Sequence, residues 1–372
     1  MPIATFVLPL AAGAAAFIIN LLLTPVIILL SHKYKWFDEI DARKIHTNNV
    51  PRLGGAGMFL SCMLSLLLLS LLNADAGFFS AQTGVLLAGF LVIHILGLVD
   101  DFRNIPAIWK LLGQILAGTL LLLGGARIAG FEVPFWGIEL SFGLLSGPLT
   151  VFWLISVANA INLIDGVDGL AGGVSLVLAI AVAVIQAMTG NQAGVIIAVA
   201  LAGAVLGFLV YNRPQARIFM GDSGSLFLGF ALGGLLFLDH AAETTPLRAT
   251  FFLPGITLLL LPIMDMMASI LRRIRQGRPI YSPDREHLHH KLLDFGFSVP
   301  HILLMLLGIV SLSAVVVVFW TYTRYNSDAV PPWAADAVML GSWVMAGGFF
   351  LVVHFLNRKR KQQERGIASQ AS

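Results

Sequence analysis

Charge is scarce in this chain. Only 12% of its 372 residues are Asp, Glu, Lys or Arg, while 58% are hydrophobic and the mean hydropathy is +0.87. An average soluble protein carries about 25% charged residues, so an ordinary soluble domain is excluded. Cysteine is nearly absent as well. Cys62 stands alone, so no internal disulfide can form and cysteine usage leaves the compartment unmarked. No low-complexity tract occurs, and no polar stretch between the apolar runs is long enough for a soluble domain. The opening "MPIATFVLPL" lacks the basic n-region of a cleaved signal peptide and reads as the start of a first span.

Apolar runs are what the chain has in abundance. Runs of about 18 residues recur along the whole length and, with edges placed to within about three residues, predict eleven spans: 5–30, 54–72, 83–99, 107–126, 146–160, 170–189, 193–210, 223–239, 249–271, 300–322 and 335–356. The expected fold is an all-α polytopic membrane protein, with one transmembrane domain over 1–356 and a basic tail over 357–372. The tail reads as a positive-inside anchor followed by disorder. The odd count separates the termini, and charge orients them. Connections alternating onto one side hold 20 of the 23 Lys and Arg; the other side keeps Arg127, Arg248 and Arg324. Positive charge marks the cytoplasmic face, so the N-terminus is expected outside and the C-terminus inside. A pI near 9.1 then reflects topology, attraction to anionic lipid or an anionic substrate, and not nucleic acid. On the outer side, "ARIAGFEVPFWGIELSFG" alternates around a Pro/Gly turn and predicts a short β-hairpin.

Every unusual polar cluster falls on the basic side. "GLVDDFRNIP" supplies Asp100 and Asp101, and "NAINLIDGVDGL" supplies Asn159, Asn162, Asp165 and Asp168. "YNRPQARIFMGDSGS" adds Asn212, Arg217, Phe219 and Asp222. A single acid at a helix end is usually a solvated interfacial residue. Five in three connections on one face point to function, because charge near hydrocarbon is costly. Converging carboxylates repel one another and shift toward protonation unless cations balance them. An oxygen-only set with phosphate as co-ligand suits Mg²⁺, or Mn²⁺ in its place. Lys44, His46 and Arg52 in the first loop could reach phosphate, although a structural turn explains its Pro and Gly equally well. Lys110 and Gln114 share a face at the start of the fourth span; Lys110 is either a snorkelling residue or a phosphate anchor. In "EHLHHKL", His287 and His290 fall at i and i+3 on one helical face, with His289 pointing elsewhere. Zinc is one reading, but with no cysteine nearby and many basic neighbours, contact with a diphosphate is favoured. Asp265 either joins the site or pairs with an arginine.

Four motifs in this order, "VDDFRNIP", "NAINLIDGVDGL", "FMGDSGS" and "HLHH", resemble the polyprenyl-phosphate N-acetylhexosamine-1-phosphate transferases from Lys44 to His290. The resemblance implies an Mg²⁺-dependent enzyme of the bacterial inner membrane with a cytoplasmic site. It would move an N-acetylhexosamine-1-phosphate from a UDP-sugar to undecaprenyl phosphate and release UMP. By matching position, Asp100 and Asp101 would be the paired acids, one of them base or nucleophile, and both could also meet the metal. Asp222 would be the principal metal ligand. Asn159, Asn162, Asp165 and Asp168 would line the nucleotide and metal pocket, the two aspartates among the catalytic acids. Asn212 and Phe219 would contact the nucleotide, Lys110 the lipid phosphate, and His287, His289 and His290 the diphosphate or sugar. Leu288 interrupts the histidine run, which resembles the GlcNAc branch more than the muramyl-pentapeptide branch. Asn104 stands where some members carry a third acid. Any apolar face could serve a homodimer.

Three rivals fit less well. A secondary transporter would place charges near mid-bilayer and repeat motifs between chain halves. CDP-alcohol phosphotransferases need D-G-x-x-A-R, and Val167, Asp168, Gly169 and Leu170 follow Asp165–Gly166 here. An intramembrane aspartyl protease needs G-x-G-D, and Phe219 holds its first position.

Overall fold

The computed structural model describes residues 4–37, 50–72, 81–238, 251–282, 284, 286–325 and 330–371. Lys44 and His46, expected near phosphate, lie outside these residues. The helices are α1 (Ala4–Tyr34), α2 (Gly54–Leu72), α3 (Ala81–Arg103), α4 (Ala107–Leu123), α5 (Ser146–Ile164), α6 (Leu170–Met188) and α7 (Gln192–Asn212). They continue as α8 (Asp222–Leu235), α9 (Phe252–Leu258), α10 (Leu260–Arg275), α11 (Leu288–Asp294), α12 (Val299–Tyr325) and α13 (Pro332–Ala371). Strands β1 (Gly130–Val133) and β2 (Ile138–Ser141) form the expected hairpin, with Glu132 opposite Glu139.

Each of the eleven apolar runs contains helix among the described residues, but they are not alike. Eight described helices are long and apolar enough to cross a bilayer, and α9 with α10 makes a ninth only if the bent pair counts as one span. The pair bends by 81°. Pro262 explains the break: it has no N–H to offer the Leu258 carbonyl, and its ring crowds the preceding turn. The remaining two, α4 and α8, have 17 and 14 residues.

The short α8 is tolerated because it never meets lipid. At ~1.5 Å per residue it spans about 21 Å, less than a ~30 Å hydrocarbon core. Every residue from Ser223 to Leu235 is buried, enclosed by α2, α3, α5 and α6. Gly229 and Gly233, four apart, let α8 press on α5: a Cβ at Gly229 would lie 2.7 Å from Ala158 Cα and from the Val157 carbonyl oxygen. Small residues at such spacing permit close approach where lipid supplies no hydrophobic drive between helices. Around this axis Phe90, Phe227, Phe230, Leu121 and Leu154 are fully buried.

Two features tie down the periphery. The hairpin is fixed to α12 and α13 through Asp336, which accepts hydrogen bonds from Phe135 N (2.9 Å), Trp320 Nε1 (2.9 Å) and Arg324 Nη2 (3.1 Å). Arg324 also meets Glu132 at 2.8 Å. The basic tail, expected to be disordered beyond its anchor, continues α13 as helix to Ala371. Its Lys361 reaches Glu286 at 2.9 Å.

Candidate active site

The polar motifs meet at one end of the bundle, where α3, α5 and α7 finish and α4, α6 and α8 begin. Backbone pairing knits the loops together. Phe219 N donates to the Pro51 carbonyl (2.7 Å), Gly54 N to Phe219 O (2.9 Å) and Gly55 N to Met220 O (2.8 Å). Gly221 turns the chain into α8 at φ +71°, and a Cβ there would lie 2.3 Å from the Arg52 carbonyl oxygen.

Asp100 and Asp101 are adjacent but do different things. Asp101 is sealed, with a side chain 0% exposed. Its Oδ1 accepts from Asp222 N (2.8 Å) and Arg52 Nη2 (3.0 Å), and its Oδ2 accepts from Ser223 N (3.0 Å). It therefore satisfies donors at the start of α8 that no helix can satisfy internally. The expectation that it serves as base, nucleophile or metal ligand meets a carboxylate already occupied by three N–H groups. Asp100 Oδ1 accepts from Ile105 N at 2.9 Å, while its Oδ2 turns to Lys110. Asn104, at φ +46°, closes α3 in the left-handed conformation that Asn tolerates, its N–H on the Asp100 carbonyl at 2.9 Å.

Lys110 is neither snorkelling nor idle. Its ammonium bridges Asp100 Oδ2 and Asp222 Oδ2, the latter at 3.1 Å. Asn162 Nδ2 donates to the other Asp222 oxygen at 3.1 Å and to Ser225 Oγ at 2.8 Å. Asn159 Nδ2 donates to Gln114 Oε1 at 3.0 Å, one turn along α4 from Lys110. Lys110 and Asp222 keep partial solvent contact, so this bridge forms the open face of the cluster.

The "DGVDG" loop lies alongside. Asp165 ends α5, and no described side chain or N–H donates to its carboxylate. Burial, reinforced by Asp222, Asp101 and Asp168, pushes its pKa up to about 7. Asp168 is tied to the neighbouring loop. Its Oδ2 accepts from Ala216 N at 3.0 Å, joining this loop to the one before α8. Asn212, expected on the nucleotide, is a buried brace: its Oδ1 accepts from Gly169 N (3.0 Å) and its Nδ2 donates to Ile218 O (2.8 Å). With Gly169 at φ +78°, the amide holds a turn and is spent on backbone. Phe219 is partly buried and Arg217 exposed, both on the segment leading into α8.

The histidine motif departs from the one-face reading. His287 precedes α11 in extended conformation (φ −66°, ψ 157°), so it shares no helical face with His290. Asp265 pairs with His287 Nδ1 at 2.9 Å and accepts Leu288 N at 2.8 Å, so its partner is the motif itself and not an arginine. His289, expected to point away, is the ring aimed at the acid loop: a Cβ on Gly166 would lie 2.3 Å from its Nε2. That nitrogen is buried without a hydrogen-bond partner. Burial first, then His290, push the His289 pKa down to about 3, so the ring is neutral. His290 lies beside His289, ring centroids 4.3 Å apart. Next to the motif, the Arg272 guanidinium and the Ser269 hydroxyl hold Asp284 below the usual carboxylate range, against the opposing effect of burial.

Among the described residues no three His, Cys, Asp or Glu side chains form a ready-made cation cage. Mg²⁺ does not require one: it is commonly held by one or two carboxylates, waters and substrate phosphates. The Asp100–Asp222 pair fits that pattern. Both acids face a single point, a positive group already sits there, and the donor set contains oxygen but no sulfur. The motif residues divide accordingly. Asp100, Lys110, Asn162, Asp165 and Asp222 gather around one point, Gln114 and Asn159 support it, and Asp101 and Asn212 hold the backbone. Arg52 emerges as the partner of Asp101, and His94 as a buried contact of α8 (Nδ1 3.1 Å from the Ser223 carbonyl). No loop motif signals His94.

The sequence model described as Glycosyl transferase family 4 matches residues 83–239. A Bacillus subtilis protein named probable undecaprenyl-phosphate N-acetylglucosaminyl 1-phosphate transferase is 34% identical over 308 residues, 81% of this chain and 84% of its own. The decaprenyl-phosphate N-acetylglucosaminephosphotransferase of Mycobacterium tuberculosis (strain H37Rv) is 34% identical, covering 90% of this chain and 86% of its own. The undecaprenyl-phosphate alpha-N-acetylglucosaminyl 1-phosphate transferase of Escherichia coli K12 is 27% identical, covering 87% and 84%.

Proposed function

The chain belongs to glycosyl transferase family 4, and from that premise we propose that it transfers GlcNAc-1-phosphate from UDP-GlcNAc to a polyprenyl phosphate. The products are polyprenyl-diphosphate-GlcNAc and UMP. Undecaprenyl phosphate is the acceptor and the site faces the cytoplasm of a bacterial inner membrane, as the charge distribution favours. The observation that carries the reading is the Asp100–Lys110–Asp222 bridge, with Asn162 on Asp222 and Asp165 beside it.

The reaction brings an anionic phosphate onto an anionic diphosphate. An oxygen of the lipid phosphate bonds to the sugar-bearing phosphorus as the bond from that phosphorus to UMP breaks. Lys110 offers positive charge to the phosphates from the open side of the site. Asp165, with a pKa near 7, suits a group that orients the lipid phosphate or takes its proton. Asp222 and Asp100 would hold the Mg²⁺, which would supply charge neutralisation and stabilise the departing UMP. Neutral His289, its buried Nε2 packed against Gly166, backs the loop that carries Asp165. With Asp101 occupied by three N–H groups and Asp100 paired with Ile105 N and Lys110, direct attack is the simpler course. UMP should then exchange into UDP-GlcNAc only when lipid acceptor is present.

The test uses purified protein, radiolabelled UDP-GlcNAc and undecaprenyl phosphate in detergent, with and without Mg²⁺. Label should pass into organic solvent with equimolar UMP, only with the metal. Asp222→Asn and Asp100→Asn should each lower kcat about 100-fold or more. No transfer from any UDP-amino sugar by folded protein would overturn the assignment.

A further inference from the structure

One face of α3 is shaped to receive the first two residues of α8. His94, Gly97 and Asp101 recur at i, i+3 and i+7, the spacing of a single helical face. Asp101 accepts Asp222 N at 2.8 Å and Ser223 N at 3.0 Å. His94 Nδ1 lies 3.1 Å from the Ser223 carbonyl oxygen. A carbonyl only accepts, so this nitrogen carries the proton. Between them Gly97 leaves room: a Cβ there would lie 2.5 Å from Asp222 O and 2.6 Å from Ser223 N and Cα. The opposite side is equally close, since a Cβ on Gly55 would lie 2.2 Å from Gly224 N.

The His94 ring is itself fixed. Phe59 stacks on it at 4.1 Å with 6° between planes, and Phe227 meets its edge. Arg52 offsets the Asp101 charge at 3.0 Å. Every backbone polar group on either side of the Asp222–Ser223 peptide link is thus pinned or confined by α3, while the Asp222 side chain stays accessible toward Lys110.

We propose that His94, with Gly97 and Asp101, forms a positioning device that sets the direction of the Asp222 carboxylate. Asp101 then acts through Asp222 and not on the substrate. The inference rests on the proposed role of Asp222 as cation ligand and adds to it residues that touch neither cation nor substrate. A core histidine satisfied by one carbonyl would support stability alone; the device described here sets cation affinity.

The experiment titrates Mn²⁺ into the purified full chain in detergent, reading free Mn²⁺ by electron paramagnetic resonance. Thermal melting and KM for UDP-GlcNAc are measured on the same samples. His94→Leu should weaken Mn²⁺ binding ~3- to 10-fold, the worth of one hydrogen bond, with KM for UDP-GlcNAc unchanged. His94→Gln, whose amide can still donate to Ser223 O, should recover affinity to within about twofold. Gly97→Ala should weaken binding at least as much as His94→Leu, and it carries the test if His94→Leu does not fold. Unchanged affinity in His94→Leu and Gly97→Ala would overturn the inference. So would a loss that follows the melting temperature equally in His94→Leu and His94→Gln. Wild-type protein that binds no Mn²⁺ would instead overturn the role of Asp222, and this inference with it.

Discussion

Asp165 is the motif acid for which ionisation is most costly. Its folded pKa, raised to about 7, exceeds the ordinary carboxylate value, so the folded state holds a proton that the unfolded chain has released. The sign follows: this group lowers stability progressively as pH rises from about 4 to about 7. Asp165→Asn should therefore melt higher than wild type at pH 8 and nearly equal to it at pH 4, while losing most transferase activity. For wild type, the rate should rise with pH through about 7, because the ionised form is the useful one; a flat profile from pH 5 to 8 would remove Asp165 from proton handling. Which acids matter was legible from sequence, because five carboxylates in apolar surroundings demand explanation. What each does was not. Asp101 and Asn212 differ from Asp100 and Asn162 only in the backbone groups that tertiary packing places against them. His289 was misjudged because helical spacing was extended one residue too far, to a His287 that precedes the helix.

At the scale of elements, the helices were readable wherever an apolar run was uninterrupted. The α9–α10 break was not foreseen, although Pro262 sits within that run, because a proline inside a span can equally leave a modest kink. The short α11 depends on Asp265, twenty-two residues before His287, for both its first N–H and its leading imidazole. Asp265→Asn should raise KM for UDP-GlcNAc ~10-fold, since one charge-assisted hydrogen bond is worth ~1.5 kcal/mol or more. Faster tryptic cleavage at Lys291 should accompany it; unchanged kinetics would detach α11 from donor binding. The hairpin invites the opposite result. Asp336 is buried and serves Phe135 N, Trp320 and Arg324 together. Asp336→Ala should cost about 3 kcal/mol of stability, seen as a lower melting temperature, with both KM values unchanged because the acid cluster lies at the other end of the bundle.

At the scale of the whole molecule, one cysteine makes topology directly measurable. Cys62 is buried, so the native chain gives a quiet background to maleimides. In intact cells an impermeant maleimide should label Ser141→Cys in the hairpin and spare Arg278→Cys until the membrane is opened. The reverse pattern would invert the orientation drawn from charge. The filling of the interior around α8 has a further consequence. Phe90, Phe227, Phe230, Leu121 and Leu154 occupy the space beneath the acids and are at most 1% exposed, so the acids rest on close-packed apolar side chains and no polar path leads down through this packing. What reaches the acids therefore meets a floor and not a passage.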